Sequence, residues 1–78
     1  KPLSPREMEI LRYITAGYSN KEIAYQLHIS RQTVKNHMSS ILRKLAVNDR
    51  TQAAILALRE GWIRLKDAGQ QIIEEHDD

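Results

Sequence analysis

The chain has 78 residues, no Cys, 41% hydrophobic residues and a formal net charge of +2, which points to one domain with a core too small to enclose a roomy enzyme cleft and excludes disulfide staples and thiolate metal sites. No apolar run approaches the roughly 18 residues of a membrane span, and the amino end lacks the charged-then-apolar order of a secretion signal. A soluble protein of the reducing cytoplasm is expected, and a start at Lys1 rather than Met suggests a piece of something longer.

Four helices can be bracketed from their end signals. The first, expected over 5–16, opens with Ser4-Pro5-Arg6-Glu7. The Ser4 hydroxyl can accept a backbone bond, Pro5 suits the first helical position, and Glu7 completes a capping box. Met8, Leu11 and Ile14, with Ile10 alongside, form its apolar stripe, and Gly17 ends it, since glycine tolerates the left-handed conformation just past a helix. Ser19 and Glu22 repeat the capping-box spacing ahead of a short helix over 20–27, with Ile23, Ala24 and Leu27 inward. Ala24 supplies the small side chain that two steeply crossed helices need where they meet.

Ser30 caps the third helix, expected over 31–45, whose buried stripe is Val34, Met38, Ile41, Leu42 and Leu45. The opposite face carries Gln32, Lys35, Asn36 and Ser39 at helical spacing, and each can donate hydrogen bonds to a base edge or a phosphate. Arg43 continues that row, while Thr33, His37, Ser40 and Lys44 flank it. Asp49 caps a fourth helix over 50–60, ended by Gly61. Ala53, Leu56 and Ala57 form one apolar face of it, and Ala54, Ile55 and Leu58 a second. So small a fold cannot bury both, and Thr51, Ile55 and Leu58 are the expected dimer stripe. No internal repeat, low-complexity segment or strand pattern appears, so the expected fold is an all-α four-helix bundle in which the second and third helices form a helix-turn-helix.

Charge is distributed unevenly. Between Glu22 and Asp49 there is no acid, while Arg31, Lys35, Arg43 and Lys44 all fall there, the footprint of a surface built for phosphates. Residues 1–66 hold all twelve Lys and Arg against five acids, whereas residues 67–78 hold five acids and no base. The expected organisation is a basic domain over 1–65 and an acidic tail over 66–78, a frayed helix or disordered end that could in principle compete with DNA or simply be a solvated terminus. Double-stranded DNA is the expected partner. Lys35 can reach guanine O6 and N7, and Asn36 can pair with adenine N6 and N7. Lys21, Arg31, Thr33, Arg43, Lys44 and Arg50, with His37 at the groove's flank, are placed as phosphate contacts, helped by the positive amino ends of the second and third helices.

The motifs Leu3-Ser4-Pro5-Arg6-Glu7, Gly17-Tyr18-Ser19-Asn20-Lys21-Glu22-Ile23-Ala24, Thr33-Val34-Lys35-Asn36-His37, Ile41-Leu42-Arg43-Lys44-Leu45 and Val47-Asn48-Asp49-Arg50-Thr51-Gln52-Ala53-Ala54 occur in this order. With them the chain resembles the DNA-binding domain of the LuxR/NarL (GerE-type) bacterial transcription regulators from Leu3 to about Leu65. The run Asn48-Asp49-Arg50-Thr51-Gln52 is most similar to the NarL/FixJ group of response regulators. The resemblance implies a third helix in the major groove, a homodimer through the fourth, and an amino-terminal receiver or ligand-sensing domain in the parent protein, with RNA polymerase as a further candidate partner. Carried over by position, Lys35 and Asn36 read bases, with Gln32 and Ser39 next. Several relatives place a second lysine where this chain has Ser39, and another basic or polar residue where it has Gln32, so sequence preference does not carry over.

Other readings have less behind them. His28 and His37 lack ligand spacing on one helix face and His76 lies in the tail, so no metal is expected. The acidic run Glu74-Glu75-His76-Asp77-Asp78 has no rigid loop to shape a cation site. Glu7 has neither a nucleophile nor a second carboxylate for catalysis, so no enzyme and no cofactor are expected; it is read as the partner of Arg50 or Arg12. Trp62 is read as a core plug near the first helix. The rival function is a helical protein-interaction domain of the same fold, using the Ile55 and Leu58 surface or the basic face to hold another protein. The polar row on the third helix speaks against it, because protein-binding faces more often carry aromatic or aliphatic anchors.

Overall fold

The computed structural model describes residues 2–64 and contains four helices, α1 (Pro5–Thr15), α2 (Asn20–Leu27), α3 (Arg31–Leu45) and α4 (Arg50–Arg59), with no strand among the described residues. Every helix starts where its capping residue predicts. Ser4 accepts from the Glu7 amide at 3.1 Å while its own amide donates to Glu7 Oε1 at 2.8 Å, and Ser19 and Glu22 repeat the reciprocal pair at the same two distances. Ser30 Oγ accepts from the Thr33 amide at 3.0 Å, and Asp49 from the Gln52 amide at 2.9 Å. Each pair satisfies amide donors that a helix start leaves without an internal partner.

The four helices also end alike. Gly17, His28, Ala46 and Gly61 have positive φ of 92°, 59°, 58° and 78°. The next residue then donates its amide five residues back, Tyr18 to Tyr13, Ile29 to Ala24, Val47 to Leu42 and Trp62 to Ala57, at 3.0–3.1 Å. This is the Schellman arrangement, which satisfies carbonyls left open at a helix end. It closes α1 and α4 one residue earlier than expected, making Ala16 and Glu60 caps rather than helix.

The core is aliphatic. Ile10, Leu11, Ile23, Val34 and Ile41 are fully buried, joined by Ile14, Ala24, Met38, Ala53, Ala57 and Ile63. Helix α1 packs on α3 and α4, α2 packs on α3, and α4 touches α2 little. Met8, Leu27, Leu42 and Leu45 lie half-buried against this core rather than inside it. One expectation is overturned: Trp62 is 44% exposed, and the plug after α4 is Ile63 at 3%. The Trp62 and Ile63 amides both bond to the Ala57 carbonyl, and this tight reversal sends the smaller side chain inward and leaves the indole beside an open groove lined by Leu3, Met8, Leu45 and Leu56.

Ala24 sits buried on α2, which packs on α3. Ala24→Leu is expected to lower unfolding stability by about 1–3 kcal/mol through overpacking, measured by urea denaturation; an unchanged midpoint would mean the two helices have room to part.

Candidate nucleic-acid interface

Helix α3 presents one continuous polar face. Arg31, Gln32, Lys35, Asn36, Ser39 and Arg43 are all exposed, and Arg31, Lys35 and Arg43 have no ion-pair partner among the described residues. There is no acid in the first turn of α3, whereas α1 and α2 carry Glu7 and Glu22 there. The positive end of the α3 dipole is therefore not locally neutralised, and Arg43 and Lys44 complement its negative end. On that face Gln32 Nε2 donates to Asn36 Oδ1 at 3.1 Å, which leaves both Asn36 amide protons and the Gln32 carbonyl oxygen turned to other partners. Thr33, at the flank, shares a hydroxyl bond with the Ser30 cap at 2.9 Å. His37 is half-buried on the same flank.

Lys21 lies exposed on the first turn of α2. One turn further along the same helix Tyr25 is 77% exposed, a residue that apolar patterning passed over because it lies outside the buried stripe. Its spacing of four from Lys21 was the available signal.

Two cations expected at phosphates also make bonds inside the fold. Lys44 Nζ donates to Glu7 Oε1 at 2.9 Å, and Ser40 Oγ donates to the other carboxylate oxygen at 2.7 Å. Glu7, 5% exposed, thus ties the start of α1 to the middle of α3; its partner is Lys44, not Arg50 or Arg12. Arg50 donates to Asn20 Oδ1 at 2.9 Å and to the Tyr18 carbonyl oxygen. Both pairings join residues 30 or more apart in the chain, beyond the reach of local patterning. No group of three or more His, Cys, Asp or Glu that could hold a metal occurs among the described residues.

On the fourth helix Ile55 and Leu58 are 52% and 36% exposed, with Thr51 exposed beside them, while Ala53 and Ala57 are fully buried. Of the two apolar faces read from the sequence, Ala53 and Ala57 lie in the core and Ile55 and Leu58 on the surface, while Leu56 and Ala54 are half-buried between them.

The family model for bacterial regulatory proteins of the luxR family matches residues 1–57. The chain belongs to that family. It is 50% identical over 64 residues to the transcriptional regulatory protein DegU of Brevibacillus brevis, covering 82% of this chain and 27% of that protein. It is 56% identical over 62 residues to the response regulator protein VraR of Staphylococcus aureus (strain NCTC 8325 / PS 47) and of Staphylococcus saprophyticus, covering 80% of this chain and 30% of each relative. The chain spans less than a third of the length of these relatives. Their kind agrees with the NarL-type resemblance, and the family is one of DNA-binding transcription regulators.

The Glu7 carboxyl is held at about 2, below its ordinary 4.5, by the Ser4 amide first and then by the Ser40 hydroxyl and the Lys44 ammonium. Because the folded value lies below the unfolded one, the clasp's contribution is complete above the ordinary carboxyl range and is lost as pH falls through that range toward about 2. Glu7→Gln is expected to cost about 1–3 kcal/mol near neutral pH and to flatten this part of the acid limb. Urea titrations at stepped pH check both; equal acid limbs in the two proteins would refute the clasp's charge.

Proposed function

We propose that this chain is the DNA-binding output domain of a bacterial response regulator, which seats the polar face of α3 in the major groove of duplex DNA and pairs with a second copy through α4. The observation that carries this reading is the uninterrupted exposed row on α3. It combines bidentate hydrogen-bonding side chains with cations that have no internal partner, in a stretch of the chain without a single acid. Lys35 and Asn36 are the base readers, with Gln32 and Ser39 beside them. Lys21, Arg31, Thr33, His37 and Arg43 hold phosphates on either side. We leave Lys44 and Arg50 out of the phosphate set, since Lys44 already donates to Glu7 and Arg50 to Asn20 and Tyr18.

The dimer stripe is Thr51, Ile55 and Leu58, and a two-fold dimer would match an operator of two related half-sites. In the parent protein an upstream receiver domain would control the exposure or pairing of this domain, with RNA polymerase as the downstream partner and the cytoplasm, at the nucleoid, as the place of action.

Selection of duplexes from a random pool, followed by anisotropy titration at several salt concentrations, tests the reading. Affinity should fall steeply with salt, and the absence of salt-dependent binding to any duplex would sink it. Lys35→Ala and Asn36→Ala should each lose about 1–3 kcal/mol of discrimination at the bases they read. Arg43→Ala should instead weaken all duplexes alike and reduce the salt slope by about 1.

Ile55→Asp is expected to fold, because that side chain is half exposed, yet to stay monomeric in sedimentation and to lose its advantage on paired half-sites. A variant that still pairs would place the dimer contact elsewhere.

A further inference from the structure

We propose that Arg50 is a positioning residue that couples the α4 stripe to the first helix of the helix-turn-helix, an inference that rests on the dimeric DNA-binding reading above. Arg50 is the first residue of α4, and its neighbour Thr51 opens the exposed stripe that continues through Ile55 and Leu58. Its side chain does not follow that stripe outward. It is half-buried, with Nη1 donating to Asn20 Oδ1 at 2.9 Å and Nη2 donating to the Tyr18 carbonyl oxygen. Asn20 is the first residue of α2, and Tyr18 immediately precedes its cap, Ser19. The planar fork of an arginine can hold two acceptors at fixed separation, which a lysine cannot.

What Arg50 grips is itself firmly placed. The Tyr18 ring lies 4.9 Å from that of Tyr13 on α1, and its amide bonds to the Tyr13 carbonyl at 3.0 Å. The next residue after Asn20 is Lys21, an exposed cation at the end of α2 read here as facing a DNA phosphate. Helix α4 packs on α1 and α3 and touches α2 little, and the guanidinium supplies side-chain hydrogen bonds between the pairing helix and the amino end of α2. With it intact, the orientation imposed on α4 by a second copy is passed to the end of α2. When it is cut, each helix-turn-helix can still meet its own half-site, but the two are no longer held in a fixed relation.

Anisotropy titrations of the 78-residue chain on a selected duplex with two half-sites, and on the same duplex with one half-site scrambled, give a cooperativity factor and a salt slope. Arg50→Gln, confirmed as folded by circular dichroism, should bind the single half-site within about twofold of wild type with an unchanged salt slope, while its cooperativity factor falls about tenfold, the scale of coupling carried by contact networks. Asn20→Ala removes an acceptor and leaves the arginine charge in place. It should lower cooperativity in the same direction, and it decides the matter if Arg50→Gln does not fold. A salt slope about 1 shallower for Arg50→Gln, with Asn20→Ala unaffected, would make Arg50 a phosphate ligand and overturn the inference. So would cooperativity equal to wild type in a folded variant, which would leave the clamp a purely structural bond. A wild-type chain that binds single half-sites without cooperativity would remove the coupling but keep the DNA reading. A wild-type chain that binds no duplex would remove both, and the two cases separate in the first titration.

Discussion

The buried Glu7 carboxylate is the interaction on which the presentation of α3 depends. It completes the cap of α1 and, from the same two oxygens, accepts from Ser40 and Lys44 on α3. Ser40 and Lys44 are one turn apart, on a flank between the buried stripe of Val34, Met38 and Ile41 and the exposed row of Gln32, Asn36 and Arg43. Apolar packing alone is non-directional and tolerates some roll of a helix about its axis. Two hydrogen bonds to a fixed carboxylate on one flank do not. The clasp therefore sets which residues face outward, and it does so with partners that leave no buried side-chain polar atom unsatisfied among the described residues.

The same arrangement explains where the acids went. Glu7, Glu22 and Asp49 each serve a helix start, and Glu9 pairs with Arg6 at 3.4 Å on the surface of α1. Three of these carboxylates thus favour the local dipole and satisfy backbone amides, and the exposed pair adds little. None is on α3. A field of one sign over that helix therefore goes with the placing of these carboxylates on other elements, in a domain that is itself basic.

Much of this was legible in the residues because capping is local chemistry. Ser4, Ser19, Ser30 and Asp49 fixed all four helix starts to the residue, and the 3.6-residue period of α3 separated its core side from its polar side without knowledge of the other helices. Local patterning misses contacts between residues distant in the chain and the sense of some local reversals. Lys44 and Arg50 look like free cations until the fold brings Glu7, Asn20 and Tyr18 to them. Trp62 looks like a core residue by volume, yet the reversal after Gly61 assigns the interior to Ile63. The left-handed closures at His28 and Ala46 were also hidden, since neither carries the glycine that signals such a turn.

Helix α4 shows how a small domain divides an apolar helix between core and surface. Ala53 and Ala57 are fully buried and let α4 approach α1 and α3 closely, so the side toward the core requires little side-chain volume. Of the three large aliphatics on α4, Leu56 is half-buried and Ile55 and Leu58 are only part-exposed. A stripe of this size buries far less than the roughly 1,200–2,000 Å² of a standard stable interface. On the dimeric reading, pairing by this surface alone would therefore be weak in free solution. Two adjacent half-sites change the balance, because a domain bound to one holds its partner at high effective concentration over the other, and a modest contact then suffices. Weakness of the stripe is in that case useful: it keeps pairing dependent on DNA, and it leaves an attached domain able to shift the equilibrium with only a few kcal/mol of differential contact.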